Sequence, residues 1–180
     1  MSRSTLAESL NALLPRCRRG DEDAFVEVYR LVGSSLFGTA TRLLGRPEEA
    51  EEVVQETLVR LYEKAATIRA GNLRSWLHRV TVNRCLDRLK SKGWRTEELP
   101  AEIPSSQDST GLDSRIDLSR AVAGLPVQAR TVFLLHDLEG FKHREVAAVL
   151  GISEGTSKSQ LFRARERLRL QLESNLEVSA

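Results

Sequence analysis

Residues 151–169 read GISEGTSKSQLFRARERLR, where Lys158, Arg163, Arg165, Arg167 and Arg169 stand against Glu154 and Glu166 alone. Side chains of these types on one helix have a definite chemistry. Lys and Arg donate to guanine edges and to phosphates, Gln pairs with adenine, and Phe meets a thymine methyl in a major groove wide enough for a helix. The residues just upstream are suited to holding such a helix. Gly151 ends a preceding helix in the left-handed conformation, and Ser153 is placed to cap the next one. HREVAAVLGISEGTSKSQLFRARERL therefore reads as a helix-turn-helix. Its first helix buries Val146, Ala147 and Leu150, Ile152 plugs the angle, and the second helix buries Leu161, Ala164 and Leu168. Lys158, Ser159, Gln160, Phe162 and Arg163 are left on the outer face. The competing reading is an ordinary helical hairpin with a solvated charged face.

Two further clusters have recognisable chemistry. Arg74, Arg79, Arg84, Arg88, Lys90 and Lys92 line one side of NLRSWLHRVTVNRCLDRLKSKG, with Asn83 among them and Trp76 near the loop ATIRAGN. Arg and Asn beside a loop suit phosphates and unpaired bases, although a row of Arg is also what a solvated helix face looks like. Glu48, Glu49, Glu51, Glu52 and Glu56, with Gln55, form an acidic surface that DNA repels. It serves either solubility or docking to a protein, and composition does not choose between them.

Other chemistry is poorly supported. Cys17 and Cys85 lack metal-ligand spacing and read as reduced thiols in a reducing compartment. His78, His136 and His143 have no ligand spacing, and there is no Gly-rich phosphate loop and no nucleophile context. The expectation is a protein that is not an enzyme and has no metal or cofactor. No signal peptide is recognisable, and no apolar run approaches the roughly 20 residues of a bilayer span, so a soluble, cytoplasmic protein is expected.

The elements that must position these clusters are helices. Among 180 residues 41% are hydrophobic and 5% aromatic, so the core is mostly Leu, Val and Ala, which suits helices packed on helices. With a net charge of +2, nucleic-acid affinity must come from local concentration of charge. Asp21 is a candidate N-cap for a helix burying Phe25, Val28, Tyr29, Val32, Leu36, Phe37, Ala40 and Leu43; Gly33-Ser34-Ser35 is a candidate bend and Gly45 a stop. Pro47 and the following glutamates open a helix that buries Ala50, Val53, Val54, Leu58, Leu61 and Tyr62. Asn72 is a candidate cap for the basic helix. GWRTEELPAEIPSSQDSTGLDS has no period and reads as a linker. Beyond it come a short helix from about Ser114 to Gly124, a second helix in LPVQARTVFLLHDLEG, and the helix-turn-helix. The fold class is all-α: two small helical domains joined by a flexible linker.

EEAEEVVQETLVRLY, LRSWLHRVTVNRCLDRL and LPVQARTVFLLHDLEGFKHREVAAVLGISEGTSKSQLFRARERL, in that order, resemble the extracytoplasmic-function (group IV) sigma factors of bacterial RNA polymerase. The resemblance implies an N-terminal extension at 1–20, sigma domain 2 at 21–92, a linker at 93–113, sigma domain 4 at 114–173 and a tail at 174–180. It gives the acidic helix a partner: Glu49, Glu52, Gln55 and Glu56 match the segment that docks on core RNA polymerase, with Glu52 where the family usually has Asp. Arg74, Trp76, Arg79, Asn83, Arg84 and Arg88 match the segment that reads the promoter −10 element, where a base is flipped into a pocket. Thr156, Lys158, Ser159, Phe162 and Arg163 match positions that read the −35 element. Promoter DNA, core polymerase and an anti-sigma factor, often membrane-anchored, are the implied partners. One departure stands out: Ser157 replaces a buried aliphatic residue, so its hydroxyl either bonds back to a carbonyl one turn earlier or leaves the recognition helix less firmly packed. A stand-alone helix-turn-helix regulator is the alternative. It calls for a palindromic site bound by a dimer without polymerase.

Overall fold

Asp21 accepts the Ala24 N–H at 3.3 Å and so starts α2, Glu22–Leu44, with Glu22 and Asp23 favourably placed at its positive end. The helix stops where Gly45 takes φ 72° and gives its N–H to the Thr41 carbonyl. These details belong to a computed structural model that describes residues 3–91 and 112–178. Regular structure among those residues is helical: α1 Arg3–Arg18, α2, α3 Pro47–Lys64, α4 Leu73–Ser91, α5 Leu112–Ala123, α6 Val127–Phe133, α7 His143–Leu150 and α8 Glu154–Val178. The linker 93–113 lies outside the described residues except for its last two, which open α5; Lys92 lies outside them too.

The bend expected at Gly33-Ser34-Ser35 is absent, and α2 runs through unbroken. Gly33 serves a different purpose. A Cβ there would come within 2.7 Å of the Tyr29 ring, so the missing side chain lets that ring lie along the helix. The cap expected from Asn72 is also different. The first N–H of α4, on Leu73, points to Asn11 Oδ1 of α1 at 3.4 Å, while the Asn72 carbonyl accepts from Trp76. α1 belongs to the same core as α2 and α4: Leu10, Leu13, Leu14 and Cys17 pack with Val28, Val32, Leu36 and Leu77.

The two halves share a second apolar core. Ala40, Leu43, Val53, Val82 and Cys85 pack with Leu125, Val132, Leu135, Phe141 and Val146. Sequence leaves open whether the halves stand apart; here they are folded together. Arg130 of α6 is 1% exposed and donates to the carbonyls of Arg42 (3.0 Å), Leu43 (3.4 Å) and Leu125 (3.2 Å). Its charge sits at the negative end of α2, and burial without a carboxylate pulls its pKa down to about 10.

A π turn, Leu134–Leu138, interrupts the long helix expected in LPVQARTVFLLHDLEG, and the Glu139 N–H reaches back to the Leu134 carbonyl. Glu139 forms a polar junction between the halves. Its carboxylate accepts from Ser35 Oγ (2.6 Å) and Arg74 Nη2 (3.3 Å), and its carbonyl accepts from Arg74 Nη2 at 2.6 Å.

Candidate protein and nucleic-acid interfaces

α8 carries the helix-turn-helix reading into three dimensions. Gly151 has φ 67° and donates to the Ala147 carbonyl, and Ser153 Oγ accepts the Thr156 N–H at 2.9 Å. Leu161, Ala164 and Leu168 are buried, which turns Lys158, Ser159, Phe162 and Arg163 outward. Phe162, 67% exposed, has no core to fill. Thr156 is partly buried and takes part in the cap, its hydroxyl 2.9 Å from Ser153 Oγ. Gln160 turns toward α6, where its amide donates to Gln128.

Ser157 takes neither of the two courses expected of it. It is fully buried, and its hydroxyl lies 2.9 Å from His143 Nδ1 on α7. The bond runs between the two helices of the motif.

The α4 cluster divides. Arg79 and Asn83 are exposed, and Trp76 packs partly on the α1–α2–α4 core. Arg74, by contrast, is bound to Glu139 and lies 4.2 Å over the Phe141 ring, a cation–π contact between the halves. Arg88 donates to Glu52 Oε2 (2.8 Å), Glu56 Oε1 (2.6 Å) and the Glu49 carbonyl (3.3 Å), and Arg84 Nε is 3.4 Å from Glu56 Oε2. Residues matching the DNA-reading segment and residues matching the docking segment are thus ion-paired across α3 and α4. Gln55 is exposed on the α2 side of α3.

Tyr29, Phe37 and Tyr62 were expected inside and are 52%, 39% and 65% exposed. Val28, Val32, Leu36 and Leu61 already occupy the core-facing positions, and the neighbouring aromatics fall on the flank of each apolar stripe. Tyr29 and Phe37 line a groove of about 720 Å3 between α2 and α3, together with Gly33, Val54, Gln55 and Leu58, and Val26 and Val59 are exposed on the same two helices. Aromatic side chains are enriched at protein–protein interfaces relative to the rest of a protein's surface.

The titratable groups inside the molecule are set by burial. His78 is fully buried with neither ring nitrogen hydrogen-bonded, and its pKa falls to about 3 through desolvation, then the Arg74 charge. The Glu139 carboxylate lies 3.6 Å from His78 Nε2, but it is already engaged by Arg74, and His78 stays neutral. Burial pushes the Cys85 thiol up to about 12 and raises that of Cys17, so both are held as thiols. No cluster of metal-ligating side chains occurs among the described residues, and no described helix is long and apolar enough to cross a membrane.

An acid-and-aromatic face on one half and an outward basic helix on the other define a helical protein made to meet both protein and DNA. Comparison with known proteins makes the class specific. The sigma-70 region 2 model matches residues 28–95, and the sigma-70 region 4 model matches residues 115–168. The ECF RNA polymerase sigma factor SigM of Mycobacterium tuberculosis is 33% identical over 151 residues, covering 83% of this chain and 77% of that protein. SigE of Mycolicibacterium smegmatis is 35% identical over 153 residues; the match takes in 79% of this chain and 59% of that longer protein. The sigma factor RpoE from Bartonella quintana, solved in complex with the anti-sigma factor NepR, superposes with a TM-score of 0.68 at 28% identity, covering 83% of this chain and 96% of that one. CnrH, solved with the cytosolic domain of CnrY, shares the fold at a TM-score of 0.70 and 22% identity, over 92% of this chain and 98% of that one. The chain belongs to the ECF RNA polymerase sigma factors, a family of transcription initiation factors.

Proposed function

We propose that this chain joins core RNA polymerase in the cytoplasm and selects promoters for it, with no catalysis of its own. The α2–α3 face docks on the polymerase through Glu49, Glu52, Gln55 and Glu56 and the aromatics around them. Arg74, Trp76, Arg79, Asn83, Arg84 and Arg88 meet melted −10 DNA, where unstacking a flipped base costs a few kcal/mol that pocket contacts offset. Thr156, Lys158, Ser159, Phe162 and Arg163 meet the −35 duplex.

The observation that carries this reading is the geometry of α8: Leu161, Ala164 and Leu168 sit in the core, so Lys158, Ser159, Phe162 and Arg163 point outward together. Membership of the family, with region 2 matching residues 28–95 and region 4 matching residues 115–168, supports this division of labour. Arg74 is engaged by Glu139 across the halves and comes free only when they separate, whereas Arg84 and Arg88 are engaged by Glu56 and Glu52 within α3 and α4 and must exchange those partners for DNA. An anti-sigma factor acts by holding the polymerase-facing surfaces out of reach; RpoE, the 28%-identical neighbour, was solved with one.

Run-off transcription with purified core polymerase and genomic DNA tests the reading. Specific initiation is expected only when the chain is added. A tight, symmetric gel-shift footprint without polymerase would favour the stand-alone regulator instead.

A further inference from the structure

The turn that precedes α4 is fastened from outside by α1. Between α3 and α4 the chain passes through a tight helical turn, Ala65–Thr67, and Ala65, Ile68 and Leu73 are buried in the core of the first half. Arg69, Ala70, Gly71 and Asn72 between them are exposed. The Asn72 N–H closes back on the Arg69 carbonyl at 3.2 Å, and Gly71 takes φ 83°, a left-handed conformation suited to the third place of such a turn.

Two side chains of α1 hold the ends of this turn. Arg18 Nη2 donates to the Ile68 carbonyl at 2.6 Å and Arg18 Nε to the Ala65 carbonyl at 3.4 Å, just before the exposed tip. Asn11 Oδ1 accepts the Leu73 N–H at 3.4 Å, just after it. Positions 11 and 18 are two helical turns apart and share one face of α1, while Leu10, Leu14 and Cys17 root that helix in the core. The bond inside the tip sets its shape. The bonds from α1 set its direction, because they fix the backbone on either side. That direction is passed on to α4: the Asn72 carbonyl accepts the Trp76 N–H at 2.8 Å, and Arg79 and Asn83 are exposed further along the same helix. α1 itself lies ahead of residues 28–95, which the sigma-70 region 2 model matches.

We infer that Arg18 and Asn11 are positioning residues for −10 recognition: from α1 they hold the turn at 69–72 in the direction from which it and α4 meet an unpaired base. The inference rests on the −10 reading of α4. Loss of either bond frees one end of the turn. The base-reading form then becomes a fraction of the population, and apparent preference for the right base falls with that fraction.

The test has two measurements. Hydrogen exchange on the full chain follows the amides of residues 68–76. Arg18→Met should speed exchange there about tenfold, the change in an opening equilibrium that loss of one charged hydrogen bond brings, and Asn11→Leu about fivefold, as for a neutral one. Holoenzyme formed from the full chain and core polymerase is then bound to a promoter pre-melted over its −10 element, with each of the four bases in turn at each unpaired non-template position. Preference for the best base should fall about threefold in both variants, as an exposed turn near the low end of local stability passes from mostly held to mostly released. Asn11→Asp, whose carboxylate accepts the same N–H, should keep the wild-type preference. Unchanged exchange or unchanged preference in both variants would overturn the inference, as would Asn11→Asp behaving like Asn11→Leu. Equal weakening toward every base in Arg18→Met would make Arg18 a phosphate contact and overturn it too. Asn83→Ala separates it from the underlying assignment: lower base preference upholds α4 as the −10 reader, and unchanged preference overturns that assignment together with the roles of Arg18 and Asn11.

Discussion

Glu139→Ala removes the centre of the contact between the two halves. In the native chain its carboxylate is 16% exposed and accepts from Ser35 at 2.6 Å, Thr39 at 3.5 Å and Arg74 at 3.3 Å. Hydrogen bonds to charged groups contribute about 1.5–3 kcal/mol each. Arg74 keeps its 2.6 Å bond to the Glu139 carbonyl and its place over Phe141, and the Thr39 contact is long, so the loss is about 2 kcal/mol. That shifts a closed–open equilibrium by about thirtyfold and lowers Tm by about 4–8 °C. Fluorophores at Glu63→Cys and Glu166→Cys, both exposed sites, report the separation; the native Cys17 and Cys85 are buried and do not compete. Glu139→Ala should lengthen and broaden the inter-dye distance, lower Tm, and speed association with core polymerase. An unchanged distance distribution and an unchanged melt would refute the idea that this junction holds the halves together.

Other perturbations follow from the same geometry. Glu52→Lys sets a second cation against Arg88 and should weaken polymerase capture about tenfold, as one lost charged contact does; equal affinity in a pull-down titration removes the docking assignment. Asn83→Ala should impair promoter opening, read by permanganate reactivity, far more than polymerase binding, and an equal loss of both counts against a base-contacting role. His78 is neutral when buried, so its contribution to stability is complete above its ordinary 6.5 and is lost as the pH falls from there toward about 3. Thermal melts at stepped pH should therefore fall more steeply for wild type than for His78→Phe; parallel curves would contradict this.

What could be read from sequence was local. Asp21, Gly45, Gly151 and Ser153 perform the capping roles their types suggest, because a cap depends on residues three or four positions away. The inward faces of α3 and α8 followed from helical period for the same reason. The stripe failed at its edges, where Tyr29, Phe37 and Tyr62 sit beside core positions that smaller residues already fill; periodicity gives the direction of a face but not its width. The contact between the halves was beyond reach, since Glu139 meets Ser35 across 104 positions and Arg74 across 65. Ser157 shows both limits. Its departure from the family pattern was visible, but its partner lies 14 residues back on another helix, and a turn geometry had to exist before the two could be paired.

The most direct test of the account is a footprint of promoter DNA with the chain alone, core polymerase alone, and the two together. Protection of two separate patches, upstream duplex and melted downstream strand, only when both proteins are present is the predicted result. A footprint made by the chain alone, or one unchanged by its addition to polymerase, would contradict it.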